Sequence, residues 1–163
     1  MRGTRWTAAA AALLLLAGCG VGPSGVTDAG AAPTGIAPGV TLYFIDGDGE
    51  LRPQQRPTGR LGTVADAVTL LLDGPSDSGM RTGITSTAVT RVVVTTTATS
   101  IELRMPLTAR DVTPLGADQI VCTVLATHVQ SGGSARTTVR LVFTIPEPGS
   151  EDPRTCPLIS PDR

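Results

Sequence analysis

From Val40 onward the spacing of apolar residues switches between two periods, and this switching is the tightest limit on what the chain can fold into. "VTLYFI" (40–45) is an unbroken β-rich run, the pattern of a strand buried on both faces. "LRPQQRP" (51–57) predicts a short second strand, and Pro53 and Pro57 confine it to a sheet edge. Val64, Val68, Leu71 and Leu72 then recur at helical spacing. Thr63 stands where an N-cap belongs, Asp66 completes a near capping box, and Gly74-Pro75 ends the helix. Residues 76–88 read as a loop. "VTRVVVTT" (89–96) and "SIELRMP" (100–106) read as a hairpin, with Ile101, Leu103 and Met105 on one face and Glu102 and Arg104 on the other. "PLGADQIVCTVLATHVQ" (114–130) predicts a second helix whose buried face carries Ile120, Val121, Val124 and His128, and Gly132-Gly133 break it. Val139, Leu141, Phe143 and Ile145 alternate with Thr138, Arg140, Val142 and Thr144 in a closing strand. The order is β-β-α-β-β-α-β. The economical packing is a two-layer α+β fold, with two helices on one face of a mixed sheet.

The start of the chain places this domain. In "MRGTRWTAAAAALLLLAGC", Arg2 and Arg5 precede an apolar run that ends in small residues and Cys19. This is the layout of a secretory signal, and the run is shorter than the ~20 residues a membrane span needs. Leu16-Ala17-Gly18-Cys19 resembles a bacterial lipobox, which implies a diacylglycerol on the Cys19 thiol and cleavage just before it. Residues 1–18 are then the signal peptide. An acylated cysteine gives the protein a membrane partner and places it on the outer face of the cell membrane. Residues 19–39 are dominated by Gly, Pro and Ala and read as a tether. Its span is roughly 25 Å root-mean-square, at ~5–6 Å times the square root of length. Residues 40–146 form the folded domain and residues 147–163 a Pro-rich tail.

Composition narrows the function. Loss of Arg2 and Arg5 from the 13 basic residues leaves 11 against 14 acidic ones, a formal net charge of −3, with no basic cluster. Nucleic acid is excluded as a partner on these grounds. Only Tyr43, Phe44 and Phe143 remain as aromatics after Trp6 leaves with the signal, a poor supply for stacking or ligand recognition. The chain has neither Lys nor Asn. Both use A-rich codons, which points to a GC-rich, actinobacterial-type genome.

Candidate chemistry is sparse. Asp46, Asp48 and Glu50 alternate as in a calcium loop, but an EF-hand requires Gly at its sixth position and Glu at its twelfth, where Leu51 and Pro57 stand. A tight Asp-Gly hairpin turn is the better reading. His128 has neither nucleophile nor carboxylate at helical spacing and reads as a packing residue. Asp66 and Asp73 lie on one side of the first helix, but Asp66 is explained by the cap and Asp73 as a solvated last-turn residue. No catalytic residue, metal site or cofactor is expected. With Cys19 acylated, Cys122 and Cys156 remain in an oxidising compartment, and the even count suggests one bridge pinning the tail over the second helix. The competing reading is two free thiols.

"TLYFIDGDGEL" (41–51), "VADAVTLLLDGP" (64–75), "GITS" (83–86), "QIVCTV" (119–124) and "TVRLVF" (138–143) together resemble the GerMN domain of spore-germination and envelope lipoproteins. Leu71-Leu72-Asp73-Gly74-Pro75 is the most specific of these words. The chain departs from the family where "TTTATS" replaces a Gly-containing hairpin turn. The resemblance implies a non-catalytic assembly or interaction module of the cell envelope with a protein partner. The competing classes are a small-molecule-binding lipoprotein and an envelope hydrolase.

Overall fold

The computed structural model describes residues 39–76, 79–85 and 91–159. Cys19, the signal, nearly all of the tether, and the first two residues expected in the third strand lie outside these. Strand β1 (Gly39–Ile45) is buried along its whole length, as its unbroken apolar run predicts, and pairs antiparallel with β2 (Leu51–Pro57). Between them Asp46 builds the turn. Its Oδ1 accepts the N–H groups of Asp48 and Glu50 at 3.0 and 2.9 Å, and Gly49 supplies the positive φ of 84°. The acidic triplet is thus a turn, with Asp46 and Glu50 also paired to Arg52 at 2.8 Å.

Helix α1 (Val64–Leu72) carries the predicted capping box in full: Asp66 N–H donates to Thr63 Oγ1 at 3.2 Å and Thr63 N–H to Asp66 Oδ2 at 2.9 Å. Asp73 is its C-cap, and Gly74 turns the chain out at φ 91°. Val68 and Leu71 are fully buried.

Strands β3 (Val93–Thr96) and β4 (Ser100–Arg104) form the hairpin. No glycine is needed at its turn, because Thr97 Oγ1 accepts the N–H of Ser100 at 3.0 Å and Thr97 N–H donates to Ser100 O at 2.8 Å. Helix α2 (Pro114–Gln130) starts on Thr113, whose Oγ1 accepts Gly116 N–H at 3.0 Å, and crosses over to β5 (Thr138–Val142), which lies parallel to β4. Ile101 faces Val139 and Leu103 faces Leu141, all four fully buried. On the other face Glu102 accepts from Arg104 at 2.9 Å and lies 3.7 Å from Arg140.

The fold is α+β with a mixed sheet, but its strands form two sheets, ordered β1-β2 and β3-β4-β5. The division has a local cause. On the side of β1 away from β2, Tyr43 N–H donates to Thr123 Oγ1 of α2 at 3.0 Å, and Ile45 exchanges both backbone bonds with Arg81 at 2.9 and 2.8 Å. A helix and a loop thereby take the places a third strand would fill. Helix α2 packs on β1, α1 and β5, and residues Gln119 to Thr127 are buried all round it. It is therefore a core helix, and a single apolar face understates its burial. The alternation expected to run through Ile145 stops early: β5 ends at Val142 and Ile145 is 65% exposed. The backbone beyond Phe143 turns to bond Leu107 and Ala109, which ends the alternating geometry.

Candidate interaction surface

Among the titratable side chains singled out in the sequence, Asp46, Glu50, Asp66 and His128 have structural partners. The Arg52 guanidinium and the turn N–H groups hold the Asp46 carboxyl below the ordinary carboxylate range. The Thr63 N–H and hydroxyl do the same for Asp66. A residue missed in the sequence, Asp111, is held down in the same way by Thr108, in a second capping arrangement around the 3-10 turn Ala109–Asp111. The readable signal was Thr108 three residues before Asp111, the spacing of Thr63 and Asp66. His128 is half-buried. Its Nε2 lies 3.2 Å from Thr137 Oγ1, and Gly133 packs so closely on the ring that a Cβ there would stand 2.2 Å from it. Asp66 and Asp73 close opposite ends of α1. Among the described residues no cluster of three His, Cys, Asp or Glu side chains is arranged to hold a metal ion.

Cys122 and Cys156 are joined by a disulfide, with their Cα atoms 4.8 Å apart and both residues buried. The bridge lays the tail along the outer edge of β5, where Val139 and Arg154 exchange both backbone hydrogen bonds at 2.8 Å. Glu151 adds a bond from Phe143 N–H at 3.1 Å and pairs with Arg140 at 3.3 Å.

The tail also closes a surface depression of about 300 Å³ between Ala109, Val112, Pro114, Phe143, Glu147 and Arg154. That volume is at the floor of the range for small-molecule sites, about 300–1,000 Å³. Of its two charged groups, Glu147 pairs with Arg110 at 2.8 Å, and Arg154 lies 3.8 Å from Asp118 while its buried Nε has no hydrogen-bond partner among the described residues.

What distinguishes the surface is how the sheet edges are finished. Strand edges carry unpaired N–H and C=O groups and invite pairing with another chain. The outer edge of β1 is filled by Thr123 and Arg81, and that of β5 by the disulfide-pinned tail. On β2, the partners of Tyr43 and Ile45 are Pro53 and Leu51. Tyr43 and Ile45 spend their backbone groups away from β2, so these are the pairs that do not exchange ladder bonds, and Leu51, Pro53, Gln55 and Pro57 turn their backbone nitrogens outward. Two of those four nitrogens belong to proline and carry no hydrogen. The edge along Leu51 to Pro57 is therefore half stripped of donors and offers a partner strand fewer hydrogen bonds.

On the fourth edge, on β3, no such protection is found among the described residues. Thr138 N–H bonds Thr99 O and Met105 N–H bonds Val142 O, so the odd residues of β4 face β5 and the even ones face β3. Thr95 and Val93, opposite Glu102 and Arg104, make the ladder, so Val94 and Thr96, and the carbonyl of Val92 just before the strand, turn outward. Among the described residues none pairs with them. Val93 is 49% exposed, and Val92 and Val94 are only half-buried although they face the core.

Compared with models of known protein families, with curated proteins and with solved structures, the chain matches none. Among the described residues no helix is long and apolar enough to cross a membrane.

Proposed function

We propose that this chain is an extracytoplasmic lipoprotein, held to the membrane through Cys19, whose folded unit is a GerMN-like, non-catalytic interaction domain of the cell envelope. The observation that carries the interaction role is the unequal finishing of the edges. Three are filled, blocked or strapped, and the one on β3 keeps its backbone donors and acceptors turned outward. The binding mode this favours is strand addition, in which backbone hydrogen bonds give affinity and side chains on alternate positions give selectivity. The disulfide supports export, since such bonds persist in oxidising compartments. The anchor rests on Leu16-Ala17-Gly18-Cys19. Confinement to a membrane raises the effective concentration of any neighbour on that membrane, so a short interface is sufficient.

Two measurements test the reading. Cys19→Ser is expected to leave the membrane fraction and to lose the lipid mass carried by the unaltered protein. Retention of both would refute the anchor. In intact cells, cross-links from residues 91–97 to protein are expected. If stoichiometric binding of a metabolite is abolished by Phe143→Ala, and no protein is cross-linked, the small-molecule reading at the 300 Å³ depression replaces this one.

A further inference from the structure

The interaction reading leaves the partner open, and the chemistry of β3 narrows it. We infer that the partner strand is β3 of a second copy of this chain, added antiparallel about a two-fold axis at Val94; this inference rests on β3 being the docking edge.

The register follows from which residues turn outward. In an antiparallel pair, the residues that exchange hydrogen bonds must both face the partner. Val94 and Thr96 on β3, with the carbonyl of Val92 just before it, are the outward set. Pairing Val94 with its own copy places Val92 opposite Thr96 on both sides of the axis, so every outward group meets an outward group. A shift of one residue would set outward groups against inward ones and lose the ladder.

The side chains are compatible with this register. Residues 92–100 read "VVVTTTATS", uncharged throughout and rich in β-branched residues that suit a pleated surface. The one nearby charge, Arg91, falls opposite Thr97 of the other copy, so the two arginines do not meet. By contrast, on β2 both Arg52 and Arg56 lie on the strand, and its prolines remove two of four outward donors. The neighbouring sheet face is also satisfied within the molecule, through Glu102 with Arg104 and Arg140. The edge remains as the unfinished part. It is unfinished in packing too. Val92 and Val94 are half-buried beside Ile101 and Leu103, which are fully buried one strand further in, and a strand added at this edge would cover them.

The chain's own tether is a poor rival occupant. Between Gly20 and Pro38 it carries Pro23, Pro33 and Pro38 and several glycines, which weaken a strand and interrupt its donors. Two copies tethered to one membrane meet at high effective concentration, which lets a pairing of few residues persist.

The test uses the full chain in membranes under mild oxidation. Residues paired in this way lie ~5.5 Å apart at Cα, within disulfide reach. Val94→Cys is expected to give a disulfide-linked dimer on a non-reducing gel, at least tenfold above both the unaltered chain and Arg136→Cys on an exposed loop. Differently tagged Val92→Cys and Thr96→Cys chains, expressed together, are expected to link to each other in preference to themselves. This second result fixes the register and does not depend on the Val94 variant. Adding Thr96→Pro to Val94→Cys removes an outward donor without touching the β3 to β4 ladder, and is expected to lower the linked fraction severalfold. Absence of a dimer from both tests, or equal dimer from Arg136→Cys, overturns the inference. Linkage of the Val94→Cys chain to a different protein overturns it while leaving the interaction-domain reading standing.

Discussion

Removing the Cys122–Cys156 bridge is the perturbation with the most direct physical consequence. The two cysteines are 34 residues apart in sequence. Closing a loop of that length restricts the unfolded chain by about 3–4 kcal/mol in the loop-entropy description. With a urea slope of ~2 kcal/mol per molar, the midpoint of unfolding is expected to fall by roughly 2 M on reduction. The slope should rise slightly, because an uncrosslinked unfolded chain exposes more surface. A second effect is local. Val139 and Arg154 hold each other by two backbone bonds of 2.8 Å, and the tail has few other backbone ties to β5. Once the bridge is open, the tail can leave without unfolding the domain. Amide hydrogen exchange resolves the two effects. At Val139 and Arg154 protection should fall further than at Leu103, whose neighbours do not depend on the tail. Unfolding in urea, with and without a reductant and on a Cys122→Ala/Cys156→Ala double variant, supplies the global figure. A midpoint that moves by less than about 0.5 M would refute the loop-entropy reasoning. Unchanged exchange at Val139 would refute the view that the bridge holds the tail on the β5 edge.

Gly116→Ala places a Cβ 2.3 Å from Gly83 O and 2.7 Å from its carbonyl carbon, so the first turn of α2 must back away from a rigid stretch of backbone, at a cost of about 1–3 kcal/mol in the melting curve. Thr63→Ala and Asp66→Ala each remove one half of the α1 capping box and should cost about 1 kcal/mol apiece, with the double variant clearly less than the sum, since each half supports the other. Acid unfolding follows the three lowered carboxyls, Asp46, Asp66 and Asp111. Their pKa values are lower folded than unfolded, so the unfolded chain binds more protons as pH falls. Stability is then flat from neutrality down to about pH 5 and declines below the ordinary Asp value of about 3.9. A decline already under way between pH 7 and 6 would contradict this assignment.

Local physics made much of this molecule legible in its sequence. The unbroken run 40–45 required burial on both faces, and β1 is buried throughout. Thr63, Asp66 and Gly74 bounded α1 because caps and positive φ depend on residues within one turn. Ile101, Leu103, Val139 and Leu141 declared their inward faces by alternation. The two reserved cysteines are paired, as their even count suggested. Period tells which face of an element is buried, and it does not tell which edge of a strand finds a partner. That β1-β2 stands apart from β3-β4-β5 depended on Thr123 and Arg81 reaching the far side of β1 from 80 and 36 residues away, and spacing along a chain carries no trace of such contacts. The same holds for the candidate site. The sequence marked Pro53 and Pro57 as edge residues, but only the register showed that their bare nitrogens face outward and that β3 keeps its donors. Side-chain pattern is written residue by residue, whereas the direction of each backbone N–H is settled by pairing, and pairing is decided when distant segments pack.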